Sequence, residues 1–587
     1  MSSDRLGGYE SAALRSAFRE RYKLAGPVRY QPYPGDRTRA ASTGLDAKLP
    51  PAEPAPPALA PAPFAVRALN HMSYGATAAS LAQFNALGRS SPERLTNWVD
   101  WQLDPASIDD SALDARLGSA GYVTLDKTLS QLWADHAAGD PAYEARMRPA
   151  WEVQRAAFVR ATFSQRQLFE AMVNFWHDHF NVTATDFSAA PVYVHYDRQV
   201  IRRNAFGNFR QMLEAVARSP AMLYYLDNLS NTRAGPNENF ARELLELHTF
   251  GAENYLGFMD PFSVPPCPED PSYPIGYTDV DVYETASAFT GWTVANGHWQ
   301  FPDENDGSFV YRASWHDAGP KFVLGKFLNP EQPALKDGRD ILDRAASHPR
   351  VAKFICRKLI RRFFSDEPAQ ELVDSAALVF RKNWQHPDQI ARTLRHILLS
   401  PAAYSSWGRK TRRPFESVVA AMRAMGSEFT LRVGHDKSNE VMWRMTATGH
   451  NPYEWPAPNG YPDHGSAWSG TSSFAMTWKL LNWLTETNEA GVPLAPILAT
   501  TRSSLPAEQW TARKLVDFWC QRILGYLPDA ARRQTLVTFM AQNGHADTYV
   551  ITDTDSWAGA DLKRHYNHQR LRSMVSLVLM SPEFLAR

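Results

Sequence analysis

The sequence predicts a mainly α-helical protein: one large multi-helical globular domain with a duplicated helical pair and at most a small β-hairpin. Three observations carry this. Apolar residues recur at helical spacing over most of the chain from about Pro63. Strand signals are few. A helix pair closed by Ser-Pro occurs twice, at Ser400-Pro401 and Ser581-Pro582. The 587 residues, 44% hydrophobic and 12% aromatic, are enough for a large core.

The elements follow in chain order. Residues 1–48 form a polar arm with one short helical pattern near 12–22, and 49–63 a proline-rich, extended linker. The helical domain spans 64–587, with sub-units expected at 64–345 and 346–587. Ser164 followed by Gln167 reads as a capping box opening a helix through about His179. Thr278 followed by Asp281 reads as a second cap, with Gly291 as the stop. Residues 350–364 and 388–399 carry helical spacing. Tyr311 and the run Lys321-Phe322-Val323-Leu324-Gly325 predict a small hairpin. Residues 452–470, rich in Pro, Gly and Ser, predict a long ordered loop of the kind that often carries function. The run Phe354-Ile355-Cys356-Arg357-Lys358-Leu359-Ile360 returns as Phe518-Trp519-Cys520-Gln521-Arg522-Ile523-Leu524, which makes Cys356 and Cys520 equivalent core positions.

Several function classes lose support. Charge is balanced, 62 Lys+Arg against 62 Asp+Glu, so a nucleic-acid partner is not expected. No apolar run approaches the roughly 18 residues a membrane helix needs. The first residues lack the layout of a secretory signal, and Cys267, Cys356 and Cys520 are sparse and odd in number; both favour a cytoplasmic, reducing location over export with free thiols. The sequence contains no P-loop, dinucleotide fingerprint, nucleophile elbow, His-Glu-x-x-His pair or haem-attachment motif.

Two stretches concentrate the unusual chemistry: Asn174-Phe175-Trp176-His177-Asp178-His179-Phe180-Asn181, and the run from Asn237 to Thr249. On the first helix, Leu168, Met172, Phe175, Trp176 and His179 share an apolar face, and His177 falls about 160° away, near Glu170 and Asn174. His177 and His179 form a metal pair only if the helix ends at Trp176, where extended backbone puts i and i+2 on one face; otherwise His179 is a hydrogen-bonded core residue and His177 is exposed. On the second helix, Phe240, Leu244, Leu247 and His248 lie on the apolar side. Arg242, Glu243 and Glu246 cluster opposite, as a solvated patch or as the lining of a cleft, with Glu243 and Glu246 as i,i+3 neighbours.

Further candidates are polar groups in turns and at helix ends. His316-Asp317 is a polar turn in which Asp317 orients His316 as a base or caps the turn. Asp281 is a cap. Arg357, Lys358, Arg361 and Arg362 form a basic cluster expected to pair with Asp366 or Glu367. Asp463 and His464, in the long loop, are candidates to close over a site.

These segments together resemble a large bacterial family known as domain of unknown function 1800, over roughly Pro63 to the C-terminus. The matching residues include Leu69-Asn70-His71-Met72-Ser73-Tyr74-Gly75, the two stretches above, Tyr277-Thr278-Asp279-Val280-Asp281-Val282, Ala288-Phe289-Thr290-Gly291-Trp292, His316-Asp317 with Lys321 and Gly325, Arg357-Lys358-Leu359, the 458–468 loop and Leu579-Met580-Ser581-Pro582-Glu583-Phe584. The resemblance implies a mostly helical fold and little about activity. It also implies export in many members and a companion protein from a neighbouring family with sulfatase-like features. This chain departs from the pattern by showing no evident signal, and by an insert at about 253–276 holding Cys267.

The leading expectation is a metal-assisted enzyme, redox or hydrolytic, with a His/Glu site between helices. Glu243, Glu246, His316 and Asp317 would be catalytic; Arg242, Asp463 and His464 would bind substrate; His177, His179 and His248 would hold a divalent Fe, Zn or Mn. The alternative is a non-catalytic binding or assembly protein whose buried His and Glu residues form a structural network.

Overall fold

Several helices begin at a proline, as at Pro349, Pro414 and Pro582, or behind a side-chain cap, as at Thr278 and Ser581. A computed structural model describes residues 59–405, 407–541, 544–551 and 562–587. The predicted arm and linker lie outside the described residues, apart from the linker's last residues, 59–63. In chain order, the helices used below are α1 (Phe64–Met72), α2 (Tyr143–Phe163), α3 (Gln167–His179), α4 (Asn239–Glu246), α5 (Asp279–Ala288), α6 (Lys336–Ala346), α7 (Pro349–Phe363), α8 (Gln389–Leu398), α9 (Pro414–Met425), α10 (Ala512–Leu524) and α11 (Leu562–Leu579). The protein is mainly α-helical. Among the described residues, strands occur only as short antiparallel pairs: β1 (Pro266–Cys267) with β2 (Asp270–Pro274), β3 (Trp292–Asn296) with β4 (Asn305–Tyr311), β5 (Lys321–Val323) with β6 (Lys326–Leu328), and β7 (Asn488–Glu489) with β8 (Val492–Pro493).

Two local expectations are corrected. Ser164 and Gln167 do not form a capping box: Ser164 closes α2, its hydroxyl donates to Asp110 Oδ2 at 2.6 Å, and Gln167 Nε2 donates back to Ala161 O and Ser164 O. Tyr311 is not in the hairpin with Lys321. It pairs with Trp292, while Lys321 pairs with Leu328. The Thr278–Asp281 capping box forms as read, with Thr278 N–H donating to Asp281 Oδ2 at 2.7 Å and Asp281 N–H to Thr278 Oγ1 at 3.3 Å. The repeated segments are helical in both copies, in α7 and α10, and α8 and α11 each end just before their Ser-Pro. Cys356 and Cys520 are both fully buried thiols.

The chain forms two compact units, each described by itself. The first comprises residues 207–356 and 377–389; the second comprises 57–206, 357–376 and 390–587. In the first, Phe240 of α4 meets Phe289 at 5.3 Å between ring centroids, and Phe289 meets Trp292 at 4.8 Å. Helix α6 fits beside Trp292 because residue 338 is glycine; a Cβ there would lie 2.7 Å from the indole. In the second, Phe158 of α2 meets Phe415 of α9 at 4.7 Å. Trp176 is fully buried, its indole N–H donating to Ala205 O at 3.0 Å. Burying each such ring removes enough apolar surface to contribute about 2–3 kcal/mol. Among the described residues, no helix is long and apolar enough to cross a membrane.

Candidate functional site

In the second unit, α3 stays helical through His179, so His177 and His179 point to different surroundings. The metal-pair geometry needed the helix to end early, and it does not. His177 is also not exposed: the polar face of α3 is as buried as its apolar face. Its Nε2–H donates to Asp197 Oδ1 at 3.0 Å, its Nδ1 faces Tyr193 Oη at 3.3 Å, and its ring stacks on Tyr453 at 3.9 Å. Burial outweighs the attraction of Asp197 and holds the imidazole pKa below its ordinary value, so the ring is neutral at pH 7. Arg202 holds Asp197 from the other side at 2.9 Å and grips Glu170 with two bonds of 3.0 Å. Asp197 and Arg202 lie in a π-helical segment, Tyr196–Arg202, which the sequence reading missed. A π-turn has no distinctive hydrophobic period, so no pattern marked it.

His179 packs among Phe175, Trp176 and Phe180, and its Nδ1 accepts from the Lys358 ammonium at 2.9 Å. A ring nitrogen facing a cation is poorly placed to ligate another. The neighbouring Asp178 carboxylate accepts from Arg413 Nη1 at 2.7 Å. Burial is the largest influence on Asp178 and Asp463 adds to it, pushing the carboxyl up to about 6 against the pull of Arg413.

Within the basic cluster of α7, Arg361 Nε donates to the Asp366 backbone carbonyl at 3.3 Å, while Arg362 turns elsewhere. Arg362 is buried against Glu416 at 3.0 Å, Asp463 at 3.4 Å and Asn174 Oδ1 at 2.5 Å. The Asp366 carboxylate instead takes Lys410 at 2.9 Å. Arg413 shares Asn174 Oδ1 at 2.8 Å, and Arg587 adds a 3.0 Å pair to Glu416. Four cations (Arg362, Lys410, Arg413, Arg587) thus meet four carboxylates (Asp178, Asp366, Glu416, Asp463). Asp463 is absorbed in this network, and His464 stands exposed beside it.

The 452–470 loop is pinned onto the end of α3. Asn181 Nδ2 donates to Trp455 O and Ala457 O at 2.9 and 2.7 Å, Thr183 Oγ1 to Trp455 O at 2.6 Å, and Ala184 N–H to Tyr453 O at 2.7 Å. Tyr453 itself is held at a positive φ of 59° while buried against His177, a strained conformation the packing must enforce.

In the first unit, His316 does not rely on Asp317. Successive residues in extended backbone project to opposite sides, and the His316 Nε2 partner is Asp337 Oδ2 at 3.2 Å. The Asp317 carboxylate accepts from Gly319 N–H at 2.8 Å, the turn-capping role. Asp337 also takes the buried Lys321 ammonium at 2.8 Å; against the opposing effect of burial, the hydrogen bonds from His316 and Lys321 hold its carboxyl below the usual range. His248 is fully buried at the end of α4, its backbone N–H donating to Glu243 O at 3.0 Å. Asp281 accepts Leu324 N–H at 2.6 Å besides capping α5.

Glu243 and Glu246 behave differently from the rest. Both are half-buried on α4, and no side-chain hydrogen bond or ion pair joins either to another described residue. Arg242, one position away, is engaged with Glu238 at 2.9 Å and Asp279 at 3.3 Å. Burial first, and the like charge of Glu246 second, push the Glu243 carboxyl up to about 7. Tyr277 is fully buried, and its hydroxyl has no hydrogen-bond partner among the described residues. Its ring lies 5.4 Å from Tyr255 and 5.5 Å from Phe250. Glu246 weighs more on the Tyr277 phenol than any other charge, and with burial raises it far above its ordinary value. Sequence reasoning missed Tyr277; its one signal is an aromatic residue immediately before the Thr278 cap.

Among the described residues, no group of three or more His, Cys, Asp or Glu side chains is arranged to hold a metal ion. The three proposed histidine ligands do not fit one. His177 and His179 sit on one continuous helix, where His177 meets Asp197 and Tyr193 and His179 meets Lys358.

The fold and sites define a class: a helical protein with a self-neutralised ionic cluster in one unit and an unpaired carboxylate pair in the other. A family model described as "Protein of unknown function (DUF1800)" matches residues 67–586, and the chain belongs to that family. No curated protein and no solved structure matches the chain.

Proposed function

We propose that the protein is an acid–base enzyme, hydrolytic in type, whose reactive groups are Glu243 and Glu246. The observation that carries this reading is that, of the acidic groups singled out from the sequence, this pair stands half-buried with no ion-pair partner among the described residues. A carboxyl that titrates near 7 is half protonated at neutral pH. Glu243 would give its proton to a leaving group. Glu246 would take one from the attacking water or stabilise developing positive charge. Arg242 positions the pair by anchoring α4 to Asp279.

A second reading, a binding or assembly protein, is supported by a different observation: in the second unit His177 and His179 and the Arg/Asp cluster are each held by named partners. In the account proposed here those residues are structural, and the chemistry belongs to the first unit. The test is turnover of chromogenic esters, phosphate esters, amides and glycosides by wild type, E243Q and E246Q. The reading expects hydrolysis of one class with a pH limb near 7, lost in E243Q without loss of thermal stability. Equal rates for wild type and E243Q would overturn it.

A further inference from the structure

We propose that the second unit binds an amphiphilic carboxylate, a medium-chain fatty acid, in a groove between the helix Thr471–Glu486 and α11. The site is separate from Glu243 and Glu246 and does not depend on the reading of that pair.

The groove joins two cavities of different character. One, of about 490 Å³, is lined by Arg444, Trp478, Lys479, Trp483 and Glu486. The other, of about 330 Å³, is walled by Phe539 and Leu577, with Ser573 and Arg570 beside them. Asn482 and Met580 line both, so the cavities adjoin. Each lies in the size range of small-molecule pockets. A ligand that matches both parts carries a polar head at the first and a hydrocarbon tail at the second.

The helices leave apolar groups here that the core does not use. Helix Thr471–Glu486 buries Leu480, Leu481 and Leu484, and leaves Trp478 38% exposed. Helix α11 buries Met574, Val575 and Val578, and leaves Leu577 40% exposed. Exposed large apolar groups gathered along one groove mark a surface that something covers.

The charge of the lining selects the head group. Arg444, Lys479 and Arg570 stand against one lining carboxylate, Glu486. Arg444 is held over the Trp483 ring at 4.5 Å, with the Lys437 ammonium 5.2 Å from the same ring. Their shared carboxylate, Glu440, lies 2.8 and 2.7 Å from them and offsets only one of the two charges. Lys479 is exposed, and no ion pair joins it to another described residue. This surplus attracts an anionic head and repels a cationic one. A bilayer is less suited than a single chain: membrane-binding helices lay an apolar face against the lipid, whereas these two cavities are concave.

The experiment is isothermal titration of the full chain with decanoate below its micellar concentration. Octanoate, acetate, decyltrimethylammonium and anionic phospholipid vesicles are the comparisons. The inference expects decanoate to bind, octanoate to bind about tenfold more weakly for its two missing methylenes, and acetate and the cationic amphiphile not to bind. L577D should abolish binding, and K479E should weaken it about fivefold, the loss of one exposed ion pair. Lys479 is solvent-facing, so K479E keeps its melting temperature and tests the head-group contact whatever L577D does to the fold. The inference is overturned by no decanoate binding, by equal binding of decyltrimethylammonium, or by wild-type affinity in K479E. It is equally overturned by binding of vesicles without binding of decanoate, which would assign the groove to a membrane surface, or by a dimer that decanoate does not disrupt and L577D does, which would assign it to a second copy of the chain.

Discussion

A Cβ placed on Gly460 would sit 1.8 Å from the carbonyl oxygen of Asp178. The 452–470 loop is thus pressed directly onto the end of α3, and only a residue without a side chain fits. Gly460 also has a φ of +69°, a left-handed conformation that strains other residues. G460A is expected to destabilise the second unit by about 3 kcal/mol, from steric overlap and backbone strain together. Urea unfolding followed by tryptophan fluorescence would measure it. A change under about 0.5 kcal/mol would mean the loop is not clamped as described.

Arg413 is buried between Asp178, Asn174 and Glu416. Removing one member of a buried ionic cluster leaves charges without compensation, so R413A is expected to cost about 3–5 kcal/mol. The exposed pair Arg395–Asp100 should contribute less than about 1 kcal/mol by the same unfolding assay. Similar losses for R413A and R395A would contradict the distinction between network and surface.

Stability should fall as pH drops below about 6.5. His71, His177, His348 and His450 are all held neutral by burial, with their pKa values below ordinary, His71 and His348 at about 3. For a depressed imidazole, stability is fully present above the unfolded value. It is lost as pH falls through that value toward the folded one, because only the unfolded chain takes up the proton. Asp178, raised to about 6, works in the opposite sense: it stabilises most below the ordinary carboxylate value and loses that contribution as pH rises toward 6. Glu243, raised to about 7, and Asp281, also raised, act in the same sense as Asp178, so three carboxyls stand against four imidazoles; the larger shifts of His71 and His348 leave the histidines dominant between about pH 6.5 and 4. Melting temperature against pH would show a decline over that range; a flat profile would contradict it.

Metal content is expected not to depend on the histidines. Elemental analysis of untagged protein should give the same metal-to-protein ratio for wild type, H177Q, H179Q and H248Q. Loss of a stoichiometric metal in any of the three would restore the ligand role that the geometry argues against.

Helix positions were legible because periodicity and caps are local; the Thr278–Asp281 box and the 452–470 loop appear as read. The pairing of Glu243 with Glu246 was also legible, since i,i+3 spacing is a property of α4 alone. The surroundings of α3 were not. Its polar face is buried because Arg362 and Arg413 arrive from 188 and 239 positions away in the chain, and no window of sequence contains both partners. Asp337 was invisible for the same reason. Near the start of α6 it reads as a solvated first-turn acid, yet it holds His316 and Lys321.

The most direct measurement is a carbon-13 titration of glutamate side chains, with the Glu243 signal assigned by its absence in E243Q. The account predicts a midpoint near 7 in the wild type, moving down toward the ordinary carboxylate range in E246Q as the neighbouring charge is removed. A Glu243 midpoint near 4.5 that ignores the E246Q substitution would contradict the account.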